Sequence, residues 1–256
     1  IVRFNKFFII PTTNLKLKTK SEAPPGSGLG TSAAMGVSLM SILSSLAGVC
    51  HIHPAFLAEL ASDIEQRELN IRGGKQDHYA SAAGGFNYMK FKGENVEYQK
   101  LNLSKSTIRE LEKDLVLCYS GQSRLSGDVH EKVANSFIDR EQSTLDALNI
   151  LRSTAKDIKD VLLDNRLEEF GWLLNQNWNG QKLLHPEMTN DWIDNLFKVA
   201  YSSGAIGGKV LGAGGGGCII FYCPNRKEKV SEMLAGYGAK VMSFRFVTEG
   251  VNCVDG

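Results

Sequence analysis

The sequence predicts an α+β protein, and three observations carry that class. Strand-like segments come first, a long helical stretch follows from about Gly127 to Gly204, and further strand-like segments close the chain. A parallel doubly wound sheet would alternate strand and helix more regularly. With 256 residues, 43% of them hydrophobic and 22% charged, the chain suffices for one large or two modest domains with a core. Disorder and fibres are excluded as readings, and no repeat or low-complexity tract interrupts the pattern.

The elements follow in order. Leu15 to Lys20, LKLKTK, alternates apolar and polar residues and predicts a half-exposed strand. Pro24 and Pro25 stop any ladder, and Gly26, Gly28 and Gly30 make the next stretch a loop. From Thr31 to Ala47 the residues are small and apolar, with neither breaker nor charge, which predicts a helix buried on nearly all sides. Pro54 suits the first position of a second helix, whose Leu57, Leu60, Ala61 and Ile64 have helical spacing and which is expected to end near Asn70. A glycine turn at Gly73 and Gly74 precedes two expected strands, 86–91 and 96–101, with the proportions of a hairpin, and 114–120 reads as an apolar strand. In the helical half, Val129, Val133, Phe137, Leu145, Leu148 and Leu151 form one stripe, and Leu167, Phe170 and Leu174 another. A strand is expected to start at Leu211, break at Gly214 to Gly217 and resume from Cys218 to Cys223, with a last one at 240–247. The expected domains are 1–120 and 121–256.

Charge and cysteine usage narrow the function classes. Twenty-nine Lys and Arg against 28 Asp and Glu leave a net charge of +1, so no global field concentrates the chain on nucleic acid or an anionic membrane. Any anion site must be local. No apolar run of about 18 residues is present, so a cytoplasmic protein is expected. Cys50, Cys118, Cys218, Cys223 and Cys253 contain no CxxC pair and read as reduced thiols rather than a disulfide framework or a zinc site. His51 and His53, two apart before Pro54, show no metal spacing, and Trp172, Trp178 and Trp192 read as core or groove residues. The chain opens at Ile1 in what reads as the end of an element, so an upstream segment is expected.

Three segments carry chemistry. PPGSGLGTSAA, Pro24 to Ala34, is a glycine loop feeding a helix N-terminus, where unobstructed backbone N–H groups and the helix dipole suit an anion, phosphate above all. The residues that would line it are Pro25, Gly26, Ser27, Gly28, Leu29, Gly30, Thr31 and Ser32. It is neither a Walker A loop, lacking GK[ST], nor a Rossmann fingerprint. The plainer alternative is a helix capped by Thr31 or Ser32. In IEQRELNIRGGKQDHYA, Ile64 to Ala80, Glu65 emerges at the border of a buried stripe, and Lys75 and Asp77 follow a glycine turn. Two carboxylates and a lysine near a phosphate loop are what phosphoryl transfer uses: one to hold Mg2+, one to orient or deprotonate the acceptor, a cation to spread charge. Each taken singly reads as a solvated or salt-bridged surface group. In GGKVLGAGGGGCIIFY, Gly207 to Tyr222, the run Gly214 to Gly217 suggests close approach by backbone or ligand, or else a tight hairpin with a bulge. Arg124, in SGQSRLSG, is a candidate phosphate or sugar contact.

PPGSGLGTSAA and KVLGAGGGGCIIF resemble the second and third signatures of the GHMP small-molecule kinases. The finer pattern, GGKQDHYASAAGGFNYMKF and YSGQSRLSG, is most similar to the bacterial D-glycero-D-manno-heptose 7-phosphate kinases within that family. The resemblance runs from about Lys16 to Val247, and the family's first signature has no counterpart. It implies a two-domain fold, an N-terminal ribosomal-protein-S5-like α/β domain and a C-terminal ferredoxin-like α+β domain. It implies ATP-dependent phosphorylation of the heptose phosphate at its anomeric hydroxyl, giving a 1,7-bisphosphate. The loop Pro25 to Ser32 would hold the ATP phosphates, Ser32 (or Thr31) and Glu65 would coordinate Mg2+, and Asp77 matches the catalytic aspartate. Lys75 and Arg124 are candidates for sugar or sugar-phosphate contacts, and Gly214 and Gly215 would lie beside the substrate. The expected partners are ATP and a sugar or sugar phosphate, in a chain able to form a homodimer and needing neither nucleic acid nor membrane. The alternatives are a kinase for an unphosphorylated sugar of the fucose or galactose type and a non-catalytic sugar sensor on the same fold.

Overall fold

The computed structural model describes residues 15–49, 51–69, 73–123 and 127–254. Within them the chain divides into two compact units. The first is built from residues up to Pro24, Gly30–Lys100 and Val247 onward, the second from Pro25–Leu29 and Leu101–Phe246. Residues 101–120, grouped with the N-terminal domain on sequence, thus pack in the second unit.

The first unit is three helices and a hairpin. Helix α1 (Thr31–Leu46) contains no breaker and buries Ala33, Val37, Met40 and Leu43 at spacings of three and four. Helix α2 (Pro54–Asp63) starts on Pro54, and His53 Nδ1 accepts from the Ala55 N–H as its cap. A single π-helical turn, Ile64–Glu68, prolongs it. Helix α3 (Gln76–Ala83) ends at Gly84, whose φ of 65° stops the helix. The three helices meet in a core of Val37, Met40, Leu43, Leu57, Ala58, Leu60, Ala61, Tyr79 and Ala82. Strands β1 (Phe86–Lys92) and β2 (Asn95–Leu101) pair as the expected hairpin. Residues 15–20, expected as a strand, are exposed and carry no regular structure, because alternation alone forms no strand without a partner ladder.

The second unit has a four-stranded sheet of order β4-β5-β3-β6. Its strands are β3 (Leu115–Tyr119), β4 (Gly207–Val210), β5 (Cys218–Tyr222) and β6 (Lys240–Met242). All pairings are antiparallel, with Tyr119 opposite Cys218 and Leu117 opposite Met242. Helix α4 (Lys105–Asp114), capped by Ser104 and unread in the sequence, leads into β3. Helices α5 (Gly127–Ile138), α6 (Gln142–Leu163), α7 (Leu167–Leu184) and α8 (Asp191–Ser203) fill the predicted helical half, and α9 (Lys227–Tyr237) lies before β6. The core combines Val116, Trp178, Ile193, Leu196, Phe197, Ile219, Phe221, Val230 and Leu234. Trp178 is buried in it, Trp192 donates to the Ser120 carbonyl at 2.8 Å, and Trp172 is exposed. The strand expected to begin at Leu211 instead ends at Val210, so that 211–217 is all turn. The last strand stops at Met242 rather than Val247.

Candidate active site

The candidate residues fall in both units, and those of each unit have their own geometry. In the second unit, the loop Pro25–Leu29 is held by the turn 211–217. The Cys218 N–H donates to the Ser27 carbonyl at 2.7 Å, and Leu211 N–H closes the neck of the turn on the Cys218 carbonyl at 2.8 Å. Gly28 has φ 72°, and a Cβ there would come within 2.6 Å of the Leu211 carbonyl oxygen. Gly212 has φ 68°, and its Cβ would come within 2.8 Å of the Gly28 Cα. Two glycines therefore face each other because neither leaves room for a side chain. Gly214 and Gly215 lie further round the turn, where the Gly215 N–H donates to the Met188 carbonyl at 2.6 Å. The Gly217 N–H meets the Gln122 carbonyl at 2.8 Å. Ser27 is buried with its hydroxyl unpaired, an orphaned donor in the wall of the loop.

In the first unit, α1 opens at Gly30, which adopts the left-handed conformation with φ 67° and gives no side-chain cap. The capping role foreseen for Thr31 or Ser32 is not made. The Thr31 hydroxyl is buried without a partner, and Ser32 Oγ donates to Glu65 Oε1. Glu65 comes from the π-helical turn, and its other oxygen lies 2.8 Å from His78 Nε2. Asp77, in the first turn of α3, packs on the entrance to α1. A Cβ on Gly30 would come within 2.9 Å of the Asp77 Cγ. Burial raises the Asp77 carboxyl above its ordinary range; His78 opposes that shift and the Glu65 charge adds to it. Burial lowers His78, against the pull of Glu65 and Asp77, so the imidazole favours its neutral form.

Lys75, read as a cation for the reaction and a candidate sugar contact, is engaged with two carboxylates. Its ammonium lies 2.8 Å from Glu59 Oε2 and 3.5 Å from Glu94, and Tyr79 Oη donates to Glu59 Oε1 at 2.7 Å. Burial alone would lower the Lys75 pKa, and the bonds to Glu59 outweigh it and hold it above the ordinary value. Arg124 lies outside the described residues. Sequence reasoning missed His78, Glu59 and Tyr79. The spacing from Glu59 to Tyr79 gives no cue, whereas His78 adjoins Asp77 in the motif and carried a weak one.

The groups present suit a nucleotide triphosphate and a hard divalent ion. In the second unit, positive-φ glycines and the unpaired Ser27 hydroxyl suit an anion; in the first unit, the unpaired Thr31 hydroxyl and the free N–H groups at the start of α1 do the same. Ser32 Oγ and the Glu65 carboxylate are adjacent oxygen donors, and Mg2+ takes one or two protein oxygens with the rest from phosphate and water. Among the described residues no three His, Cys, Asp or Glu side chains converge on a metal position. None of the described helices is long and apolar enough to cross a membrane.

Comparison with known proteins agrees with this chemistry. Residues 2–85 match the model of the GHMP kinases N terminal domain, and residues 156–240 that of the GHMP kinases C terminal. The chain is similar to the D-glycero-alpha-D-manno-heptose 7-phosphate kinase of Campylobacter jejuni, 30% identical over 251 residues covering 97% of this chain and 73% of the relative. It is 29% identical to the bifunctional fucokinase/GDP-fucose pyrophosphorylase of Arabidopsis thaliana over 88% of this chain and 21% of that one. Among solved structures, a D-glycero-D-manno-heptose 1-phosphate kinase from Bacteroides thetaiotaomicron superposes with a TM-score of 0.71 at 31% identity. That match covers 90% of this chain and 64% of that one, so the chain spans slightly less than two thirds of its length.

Proposed function

The chain belongs to the GHMP kinases, a family of ATP-dependent phosphotransferases, and from that membership we propose that its protein phosphorylates D-glycero-D-manno-heptose 7-phosphate at the anomeric hydroxyl, giving the 1,7-bisphosphate. The observation that carries the reading is the half-buried Asp77 carboxylate packed on Gly30, beside the Ser32–Glu65 pair, at the N-terminus of α1.

In this reading the loop Pro25 to Ser32 binds the phosphates of ATP through its backbone N–H groups, with the Ser27 and Thr31 hydroxyls as added donors. Ser32 and Glu65 would hold Mg2+, which neutralises charge on the phosphoryl group in transit. Asp77 orients the acceptor hydroxyl and is poised to take its proton, and its desolvated carboxyl is a stronger base than one in water. Transition states of this kind are loose, so most of its contribution is positioning. Lys75 works at one remove, tying α3 to α2 through Glu59 so that Asp77 is presented from a fixed helix. Gly214 and Gly215 keep side chains away from the substrate, and Arg124 supplies a guanidinium for the acceptor's phosphate.

Full-length protein with ATP, Mg2+ and the heptose 7-phosphate is expected to release ADP. Asp77→Asn should lower kcat about 10²- to 10⁴-fold while ATP affinity stays within about threefold, since the carboxylate acts at the reacting oxygen. No turnover above that of the variant defeats the proposal. A preference for free fucose or galactose moves the acceptor to an unphosphorylated sugar, and tight binding of both ligands without ADP marks a sensor.

A further inference from the structure

Among the described residues, the Pro25–Leu29 part of the proposed phosphate loop makes no side-chain hydrogen bond, and its support can be traced outward. Gly28 rests on the backbone of Leu211 and Gly212, and both contacts are close enough to bar a Cβ. The position of the loop therefore depends on where the Gly212 peptide points. Among the described residues, one side-chain bond fixes that peptide from outside the turn: Gln181 Nε2, on α7, donates to the Gly212 carbonyl at 2.9 Å. Gln181 is 7% exposed, and a buried amide that lost its partner would carry the full cost of desolvation.

The bond belongs to a stripe of amides along α7 that faces the edge strand β4. Asn175 donates to the Ile206 carbonyl at 2.9 Å and accepts from the Gly208 N–H at 2.9 Å. Asn177 accepts from Lys209 Nζ at 2.6 Å and donates to Thr154 of α6 at 2.8 Å. Asn175 and Asn177 thus attach α7 to the strand. Gln181, one turn further on, reaches past the strand to the glycine turn.

We infer that Gln181 is a positioning residue for the nucleotide site, holding the Gly212 carbonyl so that the glycine turn keeps the Gly28 loop in its phosphate-binding geometry. The inference rests on the proposed nucleotide site. It predicts that losing the Gln181 donor weakens ATP binding beyond any loss of stability, whereas losing an Asn175 bond costs stability alone.

The test compares ATP affinity, by isothermal titration of the full-length protein with Mg2+ATP, and Tm for Gln181→Met, Gln181→Glu and Asn175→Met. Gln181→Met keeps the length and volume without the N–H, and Gln181→Glu turns the donor into an acceptor facing the carbonyl. Both should raise the Kd for ATP about tenfold, about 1.4 kcal/mol, and leave KM for the acceptor within twofold. Asn175→Met should lower Tm by at least as much and leave the Kd for ATP unchanged. Wild-type affinity in a folded Gln181 variant overturns the inference, as does an equal loss in Asn175→Met. A wild-type protein that binds no ATP overturns the nucleotide-site reading itself and this inference with it.

Discussion

At the scale of single residues, Asp77 stands out because its environment opposes its charge. Burial holds its carboxyl above the ordinary value of 3.8, and the neighbouring Glu65 charge adds to the shift. A carboxylate whose folded pKa is raised destabilises the native state wherever it is ionised, and the penalty fades as pH falls through the folded pKa toward 3.8. The expected consequence is that Asp77→Asn, the variant expected to lower kcat, is more stable than wild type at pH 7. The Tm difference should shrink as the pH falls toward 3.8. Thermal melts of both proteins across that range check this, and a variant less stable than wild type at pH 7 contradicts it. The candidate residue was legible from a short polar run after a glycine turn. Its contact with Gly30 was not, since nothing in the spacing says that a residue so much later in the chain fills the place of a Cβ. The unpaired Ser27 and Thr31 hydroxyls were equally hidden, because an N-terminal Thr or Ser reads as a cap unless the geometry refuses it.

At the scale of elements, what decided legibility was whether a segment's own composition or its partner determined its structure. Helix α1 follows from an uninterrupted run of small apolar residues, and its observed bounds fall within one residue of the expected ones. Strand β4 reads GGKV, which has little strand propensity of its own. It is a strand because β5 pairs with it and Asn175 of α7 bonds the Ile206 carbonyl and the Gly208 N–H beside it, and the sequence-based reading passed over it for the more apolar residues beyond. Helix α3 depends on a partner in the same way. Lys75 at its start and Tyr79 within it both engage Glu59 of α2. Lys75→Met should therefore act on stability, costing about 1–2 kcal/mol as Glu59 loses its cation, with KM for the acceptor within twofold of wild type. Denaturant unfolding and steady-state kinetics separate the two effects. A large rise in acceptor KM without loss of stability would return Lys75 to the substrate contact that the sequence suggested.

At the scale of the whole molecule, the order of residues along the chain and the division into compact units do not coincide. The chain enters the second unit at Pro25, returns at Gly30, leaves again after Lys100 and comes back at Val247. Periodicity describes segments one at a time and cannot signal a return across so long an interval. The returning residues are not decorative. The Gly85 N–H donates to the Val247 carbonyl at 3.0 Å, Lys100 Nζ to the Thr248 carbonyl at 2.7 Å, and the Val251 N–H to the Ser81 carbonyl at 3.0 Å. Val251 also packs on the core of the first unit. These bonds hold the C-terminal end of α3 and the hairpin that follows it, the same helix whose first turn carries Asp77. Deleting residues 247–256 removes three hydrogen bonds, each worth about 1 kcal/mol, and should lower Tm by about 5–10 °C. Because the bonds cluster at α3, the loss should be local before it is global. Hydrogen exchange at residues 81–85 should accelerate more than exchange in β3 or β5, and kcat should fall further than ATP affinity as Asp77 loses its fixed helix. Uniform acceleration across both units, or unchanged exchange at 81–85, would show that the returning segment does not support the helix that carries Asp77.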